Sequence, residues 1–488
     1  MTVTRIGNIV MGLPLAGAVV LLALAFASPA PFVLIAIIGL AVGIAVVLRA
    51  PVWVLLATVV AGPTLGGWLD FSAGGAIPAA TIDRAMLLAV VVYAVFMVLG
   101  RHWKVLPAGR IELAMAAFIV VAATSLAVRG GSLPDRAESG LRLDVVFLAQ
   151  SYLVPFMLFF LGKNLVRERY LKWILRLYAA VGIFIGLVAI LQFFTGITWF
   201  TPSRYKVIHE GRAVGTLHSA THFGVVMSVS LISAFTILVG SKRALERRMA
   251  AGALAIMTIG LALTKTRAVY LGLLAAIAAM GILMPRTRRV ILVAALLGLT
   301  ALIATWPVVS QSSFVRTRLM DPVPIYNRIA LWGTAANMVV HKPVTGFGFG
   351  QRTYREERSE YLVRIGDVPP DYAYSLGATH NEYLNILVTT GLLGFVPFAA
   401  ILVMCWRRGV RSYRQRDGDW LWEREIAFVA LASLATYVAN GFFEDLSACW
   451  YGSNMIFFLF GILEGCAVRR AAGDAAAGPP SPIRQARA

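Results

Sequence analysis

The chain has 488 residues, of which 59% are hydrophobic and only 14% charged, with a mean hydropathy of +0.77. No soluble domain of this length has a core large enough to hide so much apolar side chain, so composition excludes a soluble globular protein. The net charge of +20 is spread over many short segments and forms no single stripe, which argues against nucleic acid as a partner.

Apolar runs of about 17–25 residues recur along the chain, separated by short charged loops, and that length suits helices rather than barrel strands. The predicted fold is therefore all-α: a polytopic membrane protein of about 12–14 transmembrane helices. In chain order the spans are expected near 9–27, 31–48, 51–67, 84–100, 111–128, 144–162, 172–194, 217–240, 249–264, 267–284, 289–309, 381–405, 425–440 and 450–466. Arg5, the first apolar run and "AFA" at 25–27 resemble a secretory signal. That run exceeds the usual apolar core of about 7–15 residues, so an uncleaved first span is expected.

Charge orients these spans. Arg49, the cluster Arg101/Lys104/Arg110, Lys163 to Arg176, Lys242 to Arg248, Arg286 to Arg289, Arg407 to Arg424 and Arg469/Arg470 all fall on one side, the cytoplasmic one by the positive-inside rule. The expected plan is one transmembrane domain over residues 1–466 with a large external loop at 310–380. The Ala/Gly/Pro-rich residues 467–488 follow as an unstructured cytoplasmic tail. Cys405, Cys449 and Cys466 have no CxxC spacing and point to neither a disulfide framework nor a metal site.

The external loop far exceeds the usual helix connection of about 2–8 residues, and long ordered loops usually carry function. Within it "YNRIALWGTAANMVV", 326–340, has apolar residues at helical spacing, which predicts an amphipathic helix. It stops in "HKPVTGFGFGQ", where Pro343, Gly346, Gly348 and Gly350 permit sharp turns and close backbone approach, either to a ligand or simply to close the helix.

Three residues could carry chemistry on the external side. Thr379 and Glu382 have the spacing of a capping box, which makes Thr379 the N-cap and sets His380 in the first turn of a span. There the helix dipole favours neutral imidazole, the form a general base needs; the plainer reading is a capping residue. Arg267 opens a span on the side where a cation needs a partner, although a simple helix–helix turn would also explain it. Arg328, on the loop helix, is either a solvated face residue or a ligand. Together, two arginines and a histidine suit a phosphate-bearing lipid and deprotonation of a hydroxyl nucleophile. HExxH, Walker, GxSxG and Asp-rich metal motifs are absent from the sequence.

Four stretches resemble the O-antigen ligase/polymerase superfamily of bacterial inner-membrane glycosyltransferases. "GRAVGTLHSATHFGVVMSVSL" (211–231) is similar to its R-x-x-G-T segment. "TKTRAVYLGLL" (264–274) is similar to its "SRG" span, with Thr266 and Ala268 at the flanking positions. "YNRIALWGTAANMVVHKPVTGFGFGQ" (326–351) resembles R-x-x-x-W followed by HP-x-x-G-x-G-x-G, with Lys342 inserted between His341 and Pro343. "THNEYLNILVTTGLLGFVPF" (379–398) resembles H-N-x-x-L-x-x-L-x-x-x-G-x-x-G, and the likeness extends over about residues 140–465.

The resemblance implies a GT-C-like, metal-independent, inverting glycosyltransferase without a cofactor, multi-pass in the bacterial cytoplasmic membrane and active at its external face. Its donor would be a glycan on undecaprenyl pyrophosphate and its acceptor a glycan or lipid A core. Arg267 and Arg328 would bind the pyrophosphate and His380 would activate the acceptor hydroxyl; Arg212, His218 and His222 could contact sugar or phosphate. The same residues serve a polymerase, which is the preferred reading, and a ligase or a protein O-oligosaccharyltransferase. A small-anion or lipid transporter is the reading outside the enzyme class.

Overall fold

The computed structural model describes residues 46–65, 82–101, 103–132, 138–198, 211–217, 219–283, 288–289, 323–363, 377–415 and 421–477. The expected span at 9–27, and nearly all of those at 31–48 and 289–309, lie outside the described residues. The chain forms two compact units, residues 1–62 with 69–105 and residues 63–68 with 106–488. The described helices of the first are α1 (Pro51–Leu65), whose last residues enter the second unit, and α2 (Ile82–Leu99).

In the second unit the helices are α3 (Arg110–Ser132), α4 (Glu138–Leu148), α5 (Val154–Leu165), α6 (Leu171–Thr195), α7 (Ala220–Gly240), α8 (Ala244–Ala262) and α9 (Arg267–Leu283). They are followed by α10 (Val323–His341), α11 (Thr353–Glu357), α12 (Glu382–Arg414), α13 (Leu421–Gly441) and α14 (Trp450–Ala477). One wide π turn, Ala149–Leu153, joins α4 to α5, so the span expected at 144–162 is two helical pieces in series. The protein is all-α and polytopic: among the described residues five helices are long and apolar enough to cross a membrane.

Helix α14 lies in the bundle interior, where Met455 to Leu463 are buried on every side. It meets α5 at backbone distance, because a Cβ on Gly461 would lie 2.0 Å from the Phe159 carbonyl oxygen and one on Gly465 would lie 2.2 Å from that of Lys163. Small residues at such crossings gain van der Waals contact that apolar burial cannot supply within lipid.

The end of this unit where α3 begins and α5 and α14 finish is built from ion pairs. Lys163 is fully buried, bonded to Glu112 and, at 2.7 Å, to the Pro107 carbonyl. Arg408 pairs with Glu464 at 2.5 Å, Arg470 with Glu423, and Arg176 with Glu246. Arg469 donates to the carbonyls of Lys163 at 2.9 Å and Val166 at 2.7 Å, which cap the end of α5. These two arginines, with an alanine-rich sequence of high helix propensity, carry α14 through Ala477. The unstructured tail expected from 467 is thus helical over its first part, and 478–488 lie outside the described residues.

Helix α10 confirms the helix expected at 326–340. Its Leu331, Ala335 and Met338 pack with Phe347, Tyr354 and Val388. Tyr354 donates to the Leu331 carbonyl at 3.0 Å, and Val363 N–H donates to Thr334 Oγ1 at 3.0 Å, so residues 353–363 brace the helix.

The glycine segment after α10 docks on a helix. Helix α12 breaks at Gly391, where φ is 60° and ψ −160°. Such a break strands the carbonyls of Val388 and Thr389 and the N–H groups of Leu392 and Leu393, which in an intact helix would bond to each other. The segment supplies all four partners. Phe347 N–H donates to Val388 O at 2.8 Å and Gly348 N–H to Thr389 O at 3.0 Å, while Leu392 N–H donates to Pro343 O at 2.8 Å and Leu393 N–H to Val344 O at 3.1 Å. Irregular backbone within a membrane protein is stable only when its polar groups are met by protein in this way.

Arg129 of α3, its side chain only 3% exposed, locks the other edge of the segment. It donates to Gly348 O at 3.2 Å and to Thr353, and pairs with Glu356 at 2.7 Å and Glu357 at 3.3 Å. The close approach that these glycines permit is therefore to α12 and α3.

Candidate functional site

His380 stands at the opposite end of the second unit from the Lys163 and Arg408 pairs, at the start of α12. The N-cap of α12 is Asn381, whose Oδ1 accepts from the N–H groups of Tyr383 and Leu384, each at 3.0 Å. This corrects the capping box read from sequence. Glu382 turns inward and is fully buried, accepting from the Tyr152 hydroxyl at 2.7 Å and from Ser447 N–H at 2.8 Å. Thr379 bonds elsewhere, and His380 precedes the helix.

His380 itself has φ of 50°, in the left-handed region that costs a non-glycine residue about 1–3 kcal/mol. One carboxylate holds it there. Asp445, in the turn between α13 and α14, accepts from Thr379 Oγ1 at 2.6 Å, from Asn381 N–H at 3.0 Å and from His380 N–H at 3.3 Å. Strain held by surrounding hydrogen bonds is a recurrent mark of functional positions.

The neighbouring Glu444 faces the ring, with its Oε2 3.6 Å from His380 Nδ1. Burial alone would lower the imidazole pKa, but the hydrogen bond and charge of Glu444, with the charge of Asp445, raise it above its ordinary value. The same pairing holds the Glu444 carboxyl below the usual carboxylate range despite its burial. The helix dipole expected to act on the imidazole is thus replaced by the field of two carboxylates. His380 lies outside the helix, and two carboxylates, full charges, outweigh the partial charge of a helix end.

Arg328 and Arg267 converge on this group. Arg328 donates through Nη2 to the Phe443 carbonyl at 3.4 Å, one residue from Glu444. Burial lowers its pKa first, Glu444 opposes that, and the charge of Arg267 adds to it, so both guanidiniums and Glu444 share one electrostatic neighbourhood with His380. Arg267 opens α9 two residues after Lys265, which has φ of 50° and lays its ammonium 4.9 Å from the Phe193 ring.

His222 belongs to the same end of the unit. It lies in the first turn of α7, which Ser219 caps by accepting from His222 N–H at 3.2 Å. Its ring is 6.2 Å from that of Trp450, and its charge acts on Glu444. Arg212 is brought to the α8–α9 turn by the bond from Ala213 N–H to Leu263 O at 3.1 Å. His218 lies outside the described residues.

Glu444 and Asp445 escape a motif search, since neither has a spacing that marks it. The available signal is an adjacent acidic pair in a short loop between two apolar spans, on the side of the membrane that carries His380. Among the described residues no group of three or more His, Cys, Asp or Glu is arranged to hold a metal ion. What the arrangement offers is two guanidiniums suited to phosphate oxygens, and an imidazole backed by a carboxylate and able to exchange a proton.

Comparison with curated proteins finds no match. The family model described as O-antigen ligase matches residues 252–399, the stretch that contains Arg267, Arg328, the glycine segment and His380. Glu444 and His222 lie beyond it. That domain, set in an all-α polytopic membrane protein, supports a place for the chain in the O-antigen ligase/polymerase superfamily, whose members are glycosyltransferase-like enzymes.

Proposed function

We propose that this protein transfers a glycan from undecaprenyl pyrophosphate to a sugar hydroxyl during assembly of a surface polysaccharide, as a polymerase of repeat units acting at the outer face of the cytoplasmic membrane. The observation that carries the reading is the meeting of Arg328 and His380 around Glu444, with Arg267 in the electrostatic reach of Arg328, from three separate elements.

Arg267 and Arg328 would clamp the pyrophosphate. The bond between the anomeric carbon and the phosphate oxygen breaks, and the guanidiniums stabilise the charge that develops on the leaving group. His380, with Glu444 stabilising the imidazolium, takes the proton of the acceptor hydroxyl as its oxygen attacks the anomeric carbon from the opposite face, which inverts the configuration. His222 and Arg212 would flank the substrate. Positive charge supplied by arginine makes a metal unnecessary in this scheme.

Two experiments test it. Purified His380→Ala protein should insert and fold normally yet lose transfer by about 10²- to 10⁴-fold, the usual contribution of a general base; near wild-type transfer would remove His380 from the chemistry. In a deletion strain, a single repeat unit on lipid A core supports the polymerase, whereas complete glycan stranded on the carrier lipid would identify a ligase.

A further inference from the structure

Trp332 lies four residues after Arg328, on the same face of α10 and about 6 Å along the helix axis. Its ring centroid is 6.2 Å from that of Phe443, tilted by 46°, and Phe443 is the residue whose carbonyl accepts from Arg328 and whose neighbour is Glu444. Core packing of α10 is carried by Leu331, Ala335 and Met338. Trp332 stands outside that cluster, and among the described residues its buried indole Nε1–H has no hydrogen-bond partner. A buried donor of this kind normally finds an acceptor. It stands one helical turn from Arg328 and against Phe443, whose carbonyl Arg328 holds.

We propose that Trp332, with Phe443 at its edge, is the platform for the first sugar of the donor. The inference rests on the reading of Arg267 and Arg328 as pyrophosphate ligands. That sugar is bonded directly to the second phosphate, so its ring must lie within a few ångströms of the guanidiniums, the span covered by one turn of α10. The indole face carries negative quadrupole charge and attracts the polarised C–H groups of a pyranose, while Nε1–H can donate to a ring hydroxyl. Trp332 thus discriminates a glycosylated carrier lipid from the bare pyrophosphate product, and favours release of the latter once transfer has occurred.

Direct binding to the full-length protein in lipid nanodiscs tests this with three probes: undecaprenyl pyrophosphate, and the same lipid bearing one hexose or one N-acetylhexosamine. Trp332→Ala should weaken binding of a sugar-bearing probe about three- to tenfold, and leave binding of the bare lipid unchanged. Trp332→Phe should retain most of the difference between the probes. Equal weakening of all three probes, or of none, would overturn the platform. If Trp332→Ala does not fold, as judged by size exclusion, Trp332→Leu keeps the volume but loses the aromatic face and carries the same test. Arg328→Lys separates the two claims, because it should weaken all probes alike. If wild-type protein binds none of them, the pyrophosphate reading falls and the platform with it.

Discussion

Gly391 is the position where one methyl group should do most damage. A Cβ there would lie 2.3 Å from the Val344 carbonyl oxygen and 2.7 Å from Gly346 N, closer than such an atom can sit. Its φ of 60° and ψ of −160° also belong to a region that is essentially open to glycine alone. In Gly391→Ala the docked segment must retreat, breaking the bonds from Leu392 N–H to Pro343 O and from Leu393 N–H to Val344 O. Backbone strain of about 1–3 kcal/mol and about 1 kcal/mol net for each of two hydrogen bonds give a loss of about 3–5 kcal/mol. Helix α10 is joined directly to this segment, so Arg328 shifts and turnover falls as well. Gly252→Ala is the control: a Cβ there meets nothing within 4 Å among the described residues, and helix propensity predicts a gain of roughly 0.5–1 kcal/mol. Thermal unfolding of both variants in one detergent, followed by a transfer assay, decides the matter. A Gly391→Ala protein that unfolds and turns over like wild type would refute the proposed junction.

Other expectations concern the charged groups. Glu444 raises the His380 pKa, and a base must be neutral to accept a proton, so Glu444→Gln should move the acid-side fall of kcat/KM to lower pH; a limb that stays or moves upward would separate the two residues. Arg328→Lys keeps the charge but loses the planar fork, and should reduce turnover roughly tenfold; unchanged kinetics would take Arg328 out of the phosphate site. Arg129→Ala removes the bonds to the Gly348 carbonyl and Thr353 that hold the docked segment, and should cost about 1–3 kcal/mol of stability, read from thermal unfolding.

Much of this protein was legible in one dimension because hydropathy, charge and helical spacing are local properties. The spans of α3, α6, α7 and α9 and the loop helix α10 needed no neighbours to be recognised, and Arg267, Arg328 and His380 stood out as candidates. Local rules failed where a partner from elsewhere in the chain outweighed them. A Thr379–Glu382 capping box is sound chemistry for an isolated helix end, but Asp445 takes Thr379 and Tyr152 takes Glu382, leaving the cap to Asn381. The upward shift of the His380 pKa turned on Glu444, which no spacing connects to it. Likewise, the glycines of "TGFGFG" announce a backbone that approaches something closely, without saying what. That it is the break in α12 follows only from the fold, because four stranded backbone groups with no water to bond had to find their partners within the protein.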